Sequence, residues 1–540
     1  MSEGEPLPGT LRTKSAAGRW VLLTTVLGSG MALLDSTVVN VALRRIGADL
    51  DADLAALQWT VNAYMLTLAG LILLGGALGD RFGRRKVFVT GVVWFAAASL
   101  LCGLAPNAGV LIAARALQGV GGALLTPGSL ALIQASFHPD DRAKAVGVWS
   151  GLGGVGAAVG PFLGGWLVDG PGWRWVFLLN VPLAAVCVPV ALRHVPESSA
   201  SSGAAVGAVG HDGADGTVGA VGHEGADGTV GAAGHERKPF DVLGAVLGAL
   251  TLALLTYALI AAPDGASSPA VIGAAAAGLA LGVFFVHVER RRPDPMLPPS
   301  LFTAREFTAV NVVTLCVYGA FGGFFFLSAL QLQVVAGYSA LAAGTALLPT
   351  TVLMLFLSAR SGELAQRIGP RLPLTVGPLL CAAGMLLMLR VDGAHTSYAA
   401  DVLPAVSVLG LGMVTLVAPL TATVLASVDT ARAGLASGVN NAAARAAGLI
   451  TVAALPLLVG MGPEAYRSAD EFGAAFRRAM PLCAGLLALG AVIAWLTVRG
   501  PGTEPPEDRR PECHSHCAVA APPLEAPPSE APDASSEEDR

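Results

Sequence analysis

Apolar residues in this chain run on in long blocks separated by short polar breaks. A helix crossing the hydrocarbon core of a bilayer needs about 20 mostly apolar residues. Fourteen blocks meet that length, at roughly 20–43, 57–79, 87–105, 108–133, 145–168, 174–193, 241–262, 269–289, 308–332, 340–360, 372–390, 402–425, 438–460 and 479–498. The pattern predicts an all-α polytopic membrane protein with fourteen transmembrane helices.

Lys and Arg divide unequally among the breaks. With the N-terminus in the cytoplasm, the inside segments hold 24 basic residues and the outside segments 7, while Arg115 and Arg445 fall within spans. Cytoplasmic loops of membrane proteins carry the excess of Lys and Arg, so both termini are expected in the cytoplasm and the chain in the cell membrane. The first 18 residues are polar and lack a signal-peptide pattern, so the first span is expected to be a retained anchor.

Composition agrees. Of 540 residues 54% are hydrophobic and only 13% charged, with mean hydropathy +0.63; soluble domains carry roughly 25% charged residues. Lipid is therefore an expected partner. The net charge of −5 argues against nucleic acid, which favours a basic face. Seven Cys, five of them in apolar blocks, suggest small hydrophobes and no disulfide framework.

The longest break, 194–239, repeats GAVGHDGADGTV as GAVGHEGADGTV. Such Gly, Ala and Asp density suits a flexible cytoplasmic linker. His211, His223 and His235 recur every twelve residues; repeat expansion and metal binding both account for them. The tail after Gly500 is rich in Pro, Glu and Ser and contains Cys513-His514-Ser515-His516-Cys517, where adventitious composition and a metal site both stand. No metal is assigned. Neither a GxxxxGK[ST] phosphate loop nor HExxH or GxSxG occurs, so ATP-driven transport and enzymatic hydrolysis have no motif behind them.

A weak internal repeat bears on architecture. Gly76–Arg85 reads GALGDRFGRR and Gly362–Arg371 reads GELAQRIGPR, five identities in ten at an offset of 286. Transporters are often duplicated bundles with the substrate between them. The expected division is an N-tail (1–18), an N-terminal six-helix bundle (19–193), the linker (194–239), two inserted helices (240–290), a C-terminal six-helix bundle (291–499) and a C-tail (500–540).

Several polar groups stand inside spans, where they mark function by default. Asp35 lies in LDSTVVNVAL (34–43) and Arg115 in RALQGVGGA (115–123). Counted at about 1.5 Å per residue, both fall at a similar depth below the outer surface and can pair across the bundle. A purely structural ion pair and a coupling pair that exchanges a proton both fit that placement. Arg115, Gln118, Gly119 and Gly122 share one helical face. Gly156, Gly160 and Gly164 repeat every four residues in GAAVGPFLGG, where Pro161 invites a bend. Asn441, Arg445 and Gly448 share a face in span 13; Arg445 can snorkel to the cytoplasm or line a substrate path. That path is expected along Asn40, Asn62, Tyr64, Gln118, Asn441 and Arg445.

From about residue 20 to 500 the chain resembles the major facilitator superfamily, and within it the fourteen-span drug:proton antiporters of EmrB/QacA type. LDSTVVNVAL, GALGDRFGRRK (76–86), RALQGVGGA, GAAVGPFLGG and WRWVFLLNVP (173–182) carry the resemblance. It implies the major facilitator fold and a secondary transporter, not an enzyme, with small-molecule substrates and protons as partners. The proton gradient would be the energy source, no cofactor would be needed, and a monomer would suffice. Asp35 and Arg115 would couple protons. Gly76, Asp80, Arg81, Gly83 and Arg84 would form a conformational latch, with Asp80 engaging neighbouring basic groups and a helix end. Gly156, Gly160, Pro161, Gly164 and Gly165 match the antiporter helix motif, which favours export over proton-coupled uptake. Two departures matter. Gln366 replaces the acidic latch residue in the second copy, and spans 10 and 13 lack the mid-membrane carboxylate by which some relatives meet cationic drugs.

Overall fold

In this computed structural model the described residues are 11–198, 241–292, 295, 297–393, 395–428, 432–462 and 464–498. The His211–His235 repeat and the Cys513–Cys517 cluster lie outside them. No strand occurs among the described residues; Leu11 makes one isolated bridge to Phe137.

The helices are α1 (Ala16–Asp49), α2 (Leu54–Phe82), α3 (Arg84–Gly103), α4 (Ala108–Ser136), α5 (Pro139–Asp169), α6 (Arg174–Leu178), α7 (Asn180–His194), α8 (Val242–Gly265) and α9 (Pro269–Arg291). After them come α10 (Arg305–Val334), α11 (Ala340–Ala346), α12 (Leu348–Ile368), α13 (Arg371–Leu387), α14 (Leu403–Ala426), α15 (Ala433–Leu458) and α16 (Ala469–Thr497). Thirteen stretches among the described residues are long and apolar enough to cross a membrane. The 31-residue α5 occupies the place of the remaining expected span.

Local chemistry sets the helix ends. Ser15, Asp53, Asn107, Ser339 and Ser468 each accept a backbone N–H of the first turn, and a cap of this kind is worth about 0.5–2 kcal/mol. Two expected spans are broken. The sixth parts at Leu179 into α6 and α7, and the tenth at Leu347 into α11 and α12. Proline three or two residues past each break is the cause: Pro182 and Pro349 have no N–H for the carbonyls of Leu178 and Thr345 and clash with them.

Packing sorts the helices. α1–α5 and α7 contact one another, as do α10 and α12–α16, while α8 and α9 form a hairpin against α2 and α15. Glu289 and Asp241 tie that hairpin: Glu289 Oε2 accepts the Leu297 N–H at 2.8 Å, and Asp241 pairs with Arg292 and caps α8. Large apolar side chains stay uncovered on the outside, among them Val283, Phe356 and Leu496. An exposed apolar belt of this kind asks for lipid.

Candidate functional site

Asp35 and Arg115 meet. The Arg115 guanidinium donates to Asp35 Oδ2 through Nη1, and both side chains are sealed, at 1% and 0% exposure for Arg115 and Asp35. Neighbouring helices complete the shell. Gln118 Nε2 donates to Asp35 Oδ1 at 2.8 Å and to Ser99 Oγ at 2.7 Å, and Gln118 Oε1 accepts from Arg115 at 2.6 Å. Arg115 Nε donates to the Thr60 carbonyl at 2.9 Å. Asn180 reaches Ser99 Oγ at 3.2 Å and Asp35 Oδ1 at 3.5 Å. The Tyr64 ring lies 4.4 Å from the guanidinium carbon and Phe177 5.7 Å. A buried ion pair is tolerated only when further hydrogen bonds satisfy its remaining atoms, and α2, α4 and α7 supply them here, with Ser99 on α3 holding Gln118 and Asn180. Ser99 and Asn180 were not singled out by sequence; Asn180 sits within WRWVFLLNVP, the one signal that marks it.

The central cavity is a separate feature. It encloses about 1090 Å³ and is lined by α1, α2, α5, α10, α12, α14 and α15, with Leu347 at the start of α12. Drug-sized molecules occupy pockets of about 300–1,000 Å³. Asn40, Asn62 and Arg445 line it as expected. Tyr64 and Gln118 do not: both are buried and committed to the ion-pair shell. Asn441 is exposed, donates to the Ser437 carbonyl at 3.0 Å, and is likewise not on the lining. Asn441 shares the face of Ala444, Arg445 and Gly448, which do line the cavity, but lies one turn nearer the start of α15. Arg445 lines the cavity, and its Nε is buried without a partner. A polar cluster missed by sequence joins α15 to α10: Asn440 Nδ2 donates to Thr314 Oγ1 at 2.7 Å and Asn311 Oδ1 at 3.3 Å.

The cavity reaches Gly362 and Leu425, at the helix ends shared with the 80–85 loop. The opposite end is closed by contacts between the two helix groups. Gln58 Nε2 donates to the Val452 carbonyl at 2.7 Å and Gln333 Nε2 to the Val41 carbonyl at 3.0 Å. Tyr466 donates to the Ala52 carbonyl, and Arg467 pairs with Asp51 at 2.6 Å. Asp169, at the end of α5, accepts the Leu341 N–H at 2.8 Å in the first turn of α11.

Motif glycines pack α5 within its own group, and Gly165 carries that packing across to the other. A Cβ on Gly160 would lie 2.0 Å from Thr37 Oγ1, and one on Gly164 2.6 Å from Val38, so α5 packs backbone-close on α1. Gly165 faces Leu341 across the groups, and Pro161 both lines the cavity and meets Gly344. The surroundings of Gly156 fall outside the described residues.

In the 80–85 loop, the expected latch, Asp80 meets a neighbouring basic group while a different carboxylate meets the helix end. Asp80 accepts from Arg84 at 2.7 and 2.9 Å, within its own loop. The carboxylate at the start of α3 belongs to Glu197, whose Oε1 accepts the Arg85 N–H at 3.0 Å, while Ser198 O accepts the Arg84 N–H. Anions are favoured at helix N-termini. Gly83 has φ +105 and a Cβ there would meet the Glu197 carboxylate at 2.7 Å, so only glycine fits. Arg81 leans on Phe82 at 5.6 Å, and Gly76 packs loosely beside Pro127. Residues 195–198, expected within the flexible linker, are docked here, with Val195 buried and its carbonyl taken by Arg85. The N-tail is likewise anchored before its expected end, because Thr13 N–H donates to Asp141 at 2.9 Å and α1 begins at Ala16.

Known proteins place this arrangement. The chain is 35% identical over 495 residues to a puromycin resistance protein of Streptomyces alboniger, covering 89% of this chain and 91% of that one. A methylenomycin A resistance protein of Bacillus subtilis is 32% identical over 89% of this chain and 95% of its own length. The tetracenomycin C resistance and export protein of Streptomyces glaucescens is 33% identical over 81% and 75%. Among solved structures, a bacterial homologue of the lysosomal transporter Spinster, in an inward-facing unoccupied conformation, superposes with TM-score 0.58 at 16% identity, over 90% of this chain and 97% of that one. A proton-dependent oligopeptide transporter does so with TM-score 0.60 at 15% identity, over 89% and 98%. Residues 25–452 match the sequence description of the Major Facilitator Superfamily, and the chain is a multi-pass membrane transporter of that family.

Proposed function

We propose that this protein exports small amphipathic molecules, drugs or antibiotics among them, across the cytoplasmic membrane in exchange for protons. The observation that carries the reading is the sealed Asp35–Arg115 pair beside a cavity closed at one end. Proteins named for resistance and export, similar over most of their length, support the direction. The 24-to-7 distribution of basic residues supports cytoplasmic termini, which makes the cavity cytoplasm-facing here.

The mechanism follows from position. Asp35 does not line the cavity, so proton and substrate do not meet at one carboxylate in this conformation. Ser36, Thr37 and Asn40 on the same helix do line it. Protonating Asp35 removes the charge that holds α1 to Arg115 on α4, and frees α1 to shift its cavity face. Asp80 and its loop act as the latch on the cytoplasmic side. Two six-helix bundles (19–193 and 291–499) rock about the cavity, with 240–290 as the inserted pair, and a monomer suffices. The proton gradient is the energy source and no cofactor takes part.

The test is transport in everted vesicles with an acid interior. Substrate should accumulate inside them and be lost when the pH gradient is collapsed. Accumulation only in right-side-out vesicles would select proton-coupled uptake instead.

A further inference from the structure

The central cavity carries a polarity that its volume does not reveal. Among its described lining residues Arg445 is the sole charged side chain, and no Asp or Glu reaches the wall. Arg445 Nε is buried without a hydrogen-bond partner. Asn62 is fully buried, lines the same cavity, and has neither Nδ2 nor Oδ1 paired; Asn40 Oδ1 is unpaired as well. Nearly all buried polar groups in proteins are satisfied, and each exception asks for a cause. Three unsatisfied groups from α1, α2 and α15 on one cavity share a cause if a ligand completes them.

We propose that Arg445, Asn62 and Asn40 form a subsite for an anionic, ring-containing substrate, a carboxylate or phenolate on an aromatic scaffold. The inference rests on the efflux reading and names its substrate class. A guanidinium has donors only and fits a carboxylate or other oxyanion through paired N–H groups. Asn62 Nδ2 adds a donor to the anion, while the carbonyl oxygens of Asn62 and Asn40 accept from a hydroxyl or amide on the scaffold. Tyr318, Phe321 and Phe325 on α10 supply aromatic wall for the ring system. Asp35, on the same helix as the lining residues Ser36 and Asn40, is neutralised by Arg115 within its own shell, so a cation entering the cavity meets one positive charge and no counter-ion among the described lining residues.

Fluorescein and rhodamine 6G share a xanthene core and carry opposite charge, which makes them a matched pair. Their binding to the full chain in lipid nanodiscs is read by fluorescence anisotropy. The unaltered protein should bind fluorescein more tightly than rhodamine 6G. Arg445→Gln should weaken fluorescein about tenfold or more, the scale of a charge-assisted hydrogen bond, and Arg445→Lys should weaken it less because the charge stays. Asn62→Asp should weaken fluorescein and strengthen rhodamine 6G. Fluorescein affinity unchanged in Arg445→Gln, a preference for rhodamine 6G, or no fluorescein binding by the unaltered protein overturns the subsite. Everted-vesicle transport of rhodamine 6G in that case would leave efflux standing and this inference alone refuted.

Discussion

Asp35 on α1 and Arg115 on α4, eighty residues apart in sequence, form an ion pair that solvent does not touch. Each is the other's counter-charge in a shell of Gln118, Ser99, Thr60 and Asn180. Asp35→Asn keeps the shape and removes the charge, mimicking permanent protonation. Such a protein should fold and exchange substrate for substrate, yet fail to concentrate it when a pH gradient is imposed on proteoliposomes. Uphill transport retained at matched protein levels would make the carboxylate structural.

Removing one partner of a buried pair strands the other charge, at a cost of roughly 3–5 kcal/mol. Arg115→Gln should therefore destabilise the protein strongly, and adding Asp35→Asn should recover much of the loss. Thermal unfolding in detergent gives the four corners of the cycle. Additive losses would show that the two side chains do not depend on each other.

The end of the cavity opposite the 80–85 loop is held by few side chains. Arg467→Ala with Tyr466→Phe removes the contacts to Asp51 and Ala52. The equilibrium should shift toward a conformation open at that end. Labelling of a cysteine placed at Gln58, which is 2% exposed, should rise several-fold with a membrane-impermeant maleimide. Unchanged labelling would place the closure in backbone packing at Gly165 and Gly344 instead.

Glu197 and Asp80 divide a task that the sequence assigns to Asp80 alone. Glu197→Ala should loosen the start of α3, by about 1 kcal/mol on the scale of a carboxylate at a helix N-terminus, and raise hydrogen exchange at Arg84 and Arg85. Asp80→Asn should leave those amides protected and equilibrium binding intact while slowing transport. Equal exchange in both variants would return the anchoring role to the loop itself.

Asp141 anchors the N-tail by accepting the Thr13 N–H, and that bond holds its carboxyl below the ordinary carboxylate range. A carboxyl lowered in the folded state contributes stability above its unfolded value and loses it as pH falls through the folded one. Protection of the Thr13 amide should thus be full near neutral pH and disappear under acid conditions. Asp141→Asn should abolish that dependence. A Thr13 protection profile that is flat with pH in the unaltered chain would contradict it.

Much of this molecule is written along the chain. Hydrophobic length alone marks the spans, because a bilayer core demands about 20 apolar residues wherever a helix crosses it. Asp35 and Arg115 stand out because a charge in an apolar block has no cheap solution without a partner. What the chain could not say is which side of a helix faces which neighbour. Arg445 and Asn441 lie about one turn apart on the same face of α15, yet only Arg445 lines the cavity. Tyr64 and Gln118 read as path residues by polarity, yet tertiary packing turned them onto the guanidinium. Glu197 was invisible because its partner, the start of α3, lies 112 residues earlier. Local chemistry decides which segments are helices and where they end; burial, phase and charge partnership are settled only when the helices meet.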